Sequence, residues 1–123
     1  MKKISTNKAP KAIGPYSQGY VSGNLLFTAG QIAINPETGN IDNNDIEWQA
    51  NQAFKNVLEI VKEAGGDASK VIKTTVFLTD LNNFSIVNKI YENYFISNPA
   101  RSCVEVKALP KNSLIEIEVI AEL

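Results

Sequence analysis

The last ten residues constrain the fold more than any other stretch. Leu114–Leu123 reads LIEIEVIAEL, with Ile115, Ile117, Val119 and Ala121 alternating against Leu114, Glu116, Glu118, Ile120 and Glu122. A period of two is the signature of a strand, and a strand apolar on one side needs a sheet to join and a layer to cover it. The mixed side, where carboxylates stand beside Leu114 and Ile120 and share a sheet face with Phe77, is too apolar for bulk water and too polar for a core. That balance suits contact with another subunit.

The covering layer is legible too. From Ile46 to Ala64, the residues Ile46, Ala50, Ala53, Phe54, Val57, Leu58, Val61 and Ala64 recur at spacings of three and four, which predicts a helix. Asn44 with Glu47 forms the expected capping box, and Gly65-Gly66 the stop. A second helix is expected over Phe84–Phe95, started by Asn82-Asn83 and turning Val87, Ile90, Tyr91, Tyr94 and Phe95 inward. Strands are expected at Gly19–Val21 and Leu25–Ala29, joined by Ser22-Gly23-Asn24, with Gln31–Ile34 continuing that edge. Further strands are expected at Val71–Asp80, with Ile72, Thr74, Val76 and Leu78 on one face, and at Ser102–Val106, before a turn at Pro110–Ser113. Neither a repeat nor a linker divides the chain. The expectation is a single α+β domain over residues 1–123, a mixed sheet with two helices packed on one face.

Composition excludes whole classes of chemistry. With no histidine among the 123 residues, Ser-His-Asp triads, Cys-His dyads and HExxH zinc sites are impossible. The lone Cys103 forbids an internal disulfide and a Cys-rich zinc site, so no metal site is expected. Twelve basic and thirteen acidic residues leave a formal charge of −1, which offers RNA or DNA no attraction. There is no 18-residue apolar run, and the opening MKKISTNKAPKAIG lacks the apolar core of a secretory signal. A cytoplasmic location is expected, and the triplet Asn83-Phe84-Ser85 is then a helix start and no glycosylation site.

Three groups can still carry chemistry. Arg101 is either a bidentate carboxylate binder or a surface cation paired with an acid. Cys103 beside it is either a site residue or a small buried hydrophobe. Glu116 and Glu118 share a strand face about 7 Å apart by strand rise, as paired catalytic carboxylates or as the solvated side of a sheet. Lys107 and Lys111 can attract anions or simply be solvated. Gly65-Gly66-Asp67-Ala68-Ser69-Lys70 has the wrong spacing and context for a P-loop, and Ser17 lacks a base.

The segments Ala12–Gly19 (AIGPYSQG), Thr28–Ile32 (TAGQI), Lys73–Leu78 (KTTVFL) with Asp80-Leu81, Pro99–Val106 and Ile115–Glu118 together resemble the YjgF-type reactive intermediate deaminase (Rid) family over nearly the whole chain. The resemblance implies a chorismate-mutase-like homotrimer with active sites between subunits. It implies 2-iminobutanoate/2-iminopropanoate deaminase activity, the imines being released by PLP-dependent serine and threonine dehydratases and hydrolysed to 2-oxo acids and ammonia. It further implies that Arg101 grips the substrate carboxylate, that Glu116 positions the attacking water and handles its proton, that Gly30 offers a backbone N–H, and that Tyr16, Asn88 and Cys103 line the pocket. It calls for no cofactor, and for no nucleic-acid or membrane partner. An iminium carbon is already electrophilic, so an oriented carboxylate and one held water suffice. Ala29 stands where the family often has serine, and Phe95–Pro99 is shorter than usual and lacks an aromatic at Asn98. Both departures bear on substrate range and rate. The alternative function is a non-enzymatic trimeric module that binds a small 2-oxo acid, and nuclease activity ranks behind both.

Overall fold

The computed structural model describes all residues from Met1 to Leu123. Six strands form one mixed sheet: β1 (Lys2–Ile4), β2 (Gly19–Ser22), β3 (Leu25–Thr28), β4 (Val71–Leu78), β5 (Ala100–Glu105) and β6 (Ile115–Glu122), in spatial order β1-β2-β3-β6-β4-β5. Helices α1 (Ile46–Glu63) and α2 (Phe84–Tyr94) lie on the same face. Only β4 and β5 run parallel, since α2 is the crossover between them.

β6 sits at the centre of this sheet, as its alternation demands. Ile115, Ile117, Val119 and Ala121 are buried against the helices, joining Phe54, Val57, Ile60 and Val61 from α1 in a core of twenty residues. Phe54 anchors that core by meeting Tyr91, Tyr94 and Phe95 edge-on at centroid distances of 5.8, 5.7 and 5.4 Å. The β2–β3 turn puts Gly23 first of two central residues with φ +61°, which a type II′ hairpin requires. After α1, the N–H of Gly65 returns to Lys62 O and that of Gly66 to Val61 O, the Schellman closure that the Gly-Gly pair predicted.

Local details differ from expectation. Asp45, not Asn44, caps α1: its carboxylate accepts from the Trp48 N–H, while Asn43 takes the Asp45 N–H and sets the turn one residue later. Glu47 therefore favours the helix dipole without closing a capping box. Asn83 makes no cap bond to α2; Asp80 instead caps a short 3-10 turn, Leu81–Asn83, that leads into it. A bulge between Val71 and Lys73 buries Val71 and turns Ile72 outward, 45% exposed, so the inward face of β4 is Val71, Thr74, Val76 and Leu78. Gln31–Ile34 adds no strand, only a bridge between Gln31 and Ile117. β1 was not expected, because three residues at a sheet edge are too few to show a period. No helix is long and apolar enough to cross a membrane.

The sheet face away from the helices has no cover. Register places Tyr20, Phe27 and Ile120 in one row across it, Thr75, Glu118 and Ser102 in the next, and Phe77, Glu116 and Val104 in a third. Phe27 and Val104 are each 43% exposed.

Candidate active site

Glu116 projects from β6 onto this open face, level with Phe77 of β4. It is half-buried, and burial raises its carboxyl pKa above the ordinary value, with the like charge of Glu118 two residues on adding to the effect. Its carboxylate lies against Gly30, where a Cβ would come within 2.8 Å of Cδ and Oε2. Gly30 is held by bonds on both sides: the Ala29 N–H donates to Gln18 O, and Gln31 exchanges N–H···O bonds with Ile117. The Gly30 N–H itself has no acceptor in the chain and stays available beside the carboxylate. Tyr16 closes the same cleft, which has a free volume of about 60 Å³; its ring stacks on Gly14 and its hydroxyl accepts from the Ile13 N–H at 3.3 Å.

Arg101 lies elsewhere. It pairs in register with Thr74, so it shares the helix-covered face, at the edge strand of the sheet. Residues Phe84, Asn88 and Tyr91, at i, i+4 and i+7 along α2, form its cradle. Asn88 Oδ1 accepts from one guanidinium nitrogen at 2.8 Å, and the Tyr91 and Phe84 rings lie 4.7 and 5.3 Å from the guanidinium carbon. Tyr91 is itself tied to β4 by a 2.6 Å hydrogen bond with Thr74; burial pushes its phenol pKa up, and this bond works against the push. No carboxylate pairs with Arg101, because the chain's one ion pair is Lys62–Glu59. Of the two readings of Arg101, the paired surface cation is thus not what the fold builds. Four of its five N–H donors remain for a ligand.

Cys103 follows on the same face, half-buried against the core. Burial raises its thiol pKa, and Arg101 only partly offsets this, so the group is a poor thiolate.

The sequence-predicted residues therefore fall into two groups. Glu116, Gly30 and Tyr16 share one cleft; Arg101, Asn88 and Cys103 form another cluster. From Arg101 to Glu116 is two strands across and three residues along, about 10 Å each way, on opposite faces. Sequence reading missed Phe84, Tyr91 and Thr74 as the setting of Arg101, although the 84-88-91 spacing on a helix was available as a signal. No group of three or more metal-ligating side chains comes together.

A guanidinium and a half-buried carboxylate, neither in an ion pair, thus stand on opposite faces of a small α+β fold. The family profile described as Endoribonuclease L-PSP matches residues 6–123, and the chain belongs to that family, the YjgF/RutC/Rid proteins. It is 51% identical over 124 residues to the 2-iminobutanoate/2-iminopropanoate deaminase of Escherichia coli K12, covering 98% of this chain and 96% of that one. The human protein of the same name is 50% identical over 119 residues, covering 96% and 87%. The crystal structure of E. coli TdcF with bound serine superposes with a TM-score of 0.96 at 46% identity, covering 100% of this chain and 100% of that one.

Proposed function

We propose that the chain is a 2-iminobutanoate/2-iminopropanoate deaminase that works as a homotrimer of chorismate-mutase-like subunits, with each active site assembled from Arg101 of one copy and Glu116 of the next. The observation that carries this reading is the division of the two groups across opposite faces of one sheet, which leaves each half-site wanting its counterpart. An uncovered sheet face of mixed apolar and polar side chains supplies the surface for the union. Family membership and relatives half-identical over nearly their full length support hydrolysis of a C=N bond as the reaction class.

The chemistry follows from the groups present. Arg101, preset by Asn88 and two rings, binds the substrate carboxylate through parallel N–H donors. Glu116 accepts a hydrogen bond from a water and takes its proton as the oxygen attacks C2 of the iminium; a raised pKa suits it to return that proton to nitrogen. As the carbinolamine collapses, its hydroxyl gives its proton to Glu116, the O–H electron pair forms the carbonyl, the C–N bond breaks, and ammonia and the 2-oxo acid leave. The Gly30 N–H, which has no acceptor within the chain, donates to the developing oxygen.

The test follows 2-oxo acid formation downstream of a serine or threonine dehydratase, using Arg101→Ala, Glu116→Ala and a refolded equimolar mixture of the two. Each variant alone is expected to be inactive. The mixture should recover activity at about one quarter of its interfaces, where an intact arginine meets an intact glutamate. A mixture as dead as its parents would place both groups in one subunit's site. Saturable 2-oxobutanoate binding without wild-type turnover would leave the non-enzymatic binding module.

A further inference from the structure

The Glu116 cleft shares part of its lining with a neighbouring hollow. Pro10, Lys11, Ile13 and Ile34 line both, and the hollow, of about 540 Å³ and nine times the volume of the cleft, has a far wall that includes Glu37 and Lys111. Two ammonium groups and the Glu37 carboxylate thus border a hollow that shares a wall with the cleft of Glu116, with one net positive charge among them. Neither ammonium is committed. The one ion pair in the chain is Lys62–Glu59, and the lysine side chains that donate hydrogen bonds are Lys62 and Lys73.

The backbone at Lys111 is unusual. Lys111 (φ 56°, ψ 28°) and Asn112 (φ 54°) are consecutive left-handed residues that carry a Cβ, a conformation that persists only where surroundings impose it. Here Ser113 imposes it by donating both its N–H and its hydroxyl to Pro110 O, at 3.1 and 2.8 Å. The tight turn sets Pro110 on the Glu116 cleft and Lys111 on the hollow.

We infer that the hollow is a second carboxylate subsite and that the enzyme accepts 2-imino dicarboxylic acids, the distal carboxylate lying between Lys11 and Lys111. This rests on the proposed deaminase reading: the first carboxylate on Arg101, C2 beside Glu116, and one or two methylenes leading outward. The bond changes are unaltered, with water adding to C2, the C–N bond breaking, and a 2-oxo dicarboxylate and ammonia leaving. Ammonium groups on flexible stems hold a carboxylate as point charges and tolerate either chain length.

The test generates 2-iminosuccinate and 2-iminoglutarate in situ with an amino-acid oxidase, and follows imine lifetime by semicarbazide trapping, beside 2-iminobutanoate. Wild type should shorten the lifetime of all three. Lys111→Asn, which keeps a residue at ease in left-handed backbone, should lose at least ten-fold in kcat/KM on the dicarboxylates and less than two-fold on 2-iminobutanoate, and Lys111→Arg should restore the difference. Turnover of 2-iminobutanoate with dicarboxylates left at their uncatalysed rate overturns the inference alone, as does an equal loss on all three substrates. No turnover of any imine overturns the deaminase reading and the inference with it.

Discussion

The Glu116 carboxyl packs on the bare Cα of Gly30, so closely that a methyl there would stand 2.8 Å from both Cδ and Oε2. Gly30 has no positive φ, so space and not backbone conformation requires a glycine. Gly30→Ala should therefore fold normally, since the group that must yield is the end of a flexible side chain. Its kcat should fall by about ten-fold or more as Glu116 is pushed from its working position. A melting temperature within a few degrees of wild type, together with the lost rate, checks this.

Arg101→Lys keeps the charge and gives up the planar fork and the ring contacts with Tyr91 and Phe84. We expect KM to rise by about ten-fold or more, and more than kcat falls, because the clamp serves binding before it serves the chemical step. Steady-state kinetics at saturating imine separate the two.

Glu118 raises the Glu116 pKa by like-charge repulsion, second to burial. Removing that charge in Glu118→Gln favours ionised Glu116 and lowers its pKa, so the acid limb of kcat/KM should move to lower pH. The stability sign is also fixed. A carboxyl with its folded pKa above the unfolded one binds its proton more tightly when folded, so it costs stability as pH rises from the ordinary carboxylate value through the raised one. Glu116→Gln should thus stabilise the protein at neutral pH and lose that advantage below the ordinary carboxylate range, which melting curves across pH will show.

Cys103 is a poor thiolate, with its pKa raised by burial. Cys103→Ser should retain activity within about three-fold, and an order-of-magnitude loss would instead give the thiol a direct role.

Asn56, buried on α1, donates to the carbonyls of both Ile32 and Ile34 and thereby fastens the segment that follows Gly30. Asn56→Ala leaves the buried Ile34 carbonyl without a donor and takes one of two donors from Ile32 O, which keeps the Ile34 N–H, and should cost about 1–3 kcal/mol, measurable by urea denaturation.

What the amino-acid order revealed was whatever local periodicity could carry. The alternation of Ile115 to Ala121 and the three-four spacing of α1 placed the central strand and its cover, and the quoted motifs placed the chain in its family. The mixed composition of the outer face of β6 matches a sheet face that neither helix covers. What escaped was non-local or too short. Whether Arg101 and Glu116 share a face depends on the register of β5 against β4 and of β4 against β6, which no single strand encodes. The bulge that turns Ile72 outward, the choice of Asp45 over Asn44, and the three-residue β1 turn on single hydrogen bonds that leave no periodic trace. The setting of Arg101 lay hidden because Tyr91 reads equally well as core, which it also is.

The crossover through α2 gives the two groups of the proposed site, Arg101 and Glu116, separate foundations. Arg101 stands on the outermost strand, cradled by the preceding helix, while Glu116 stands on the central one, braced by Gly30. Substitutions in α2 reach the Arg101 cradle of Phe84, Asn88 and Tyr91 without touching the contact of Glu116 with Gly30. On the proposed reading, the grip on the common carboxylate of every substrate can thus vary apart from the wall that holds the water.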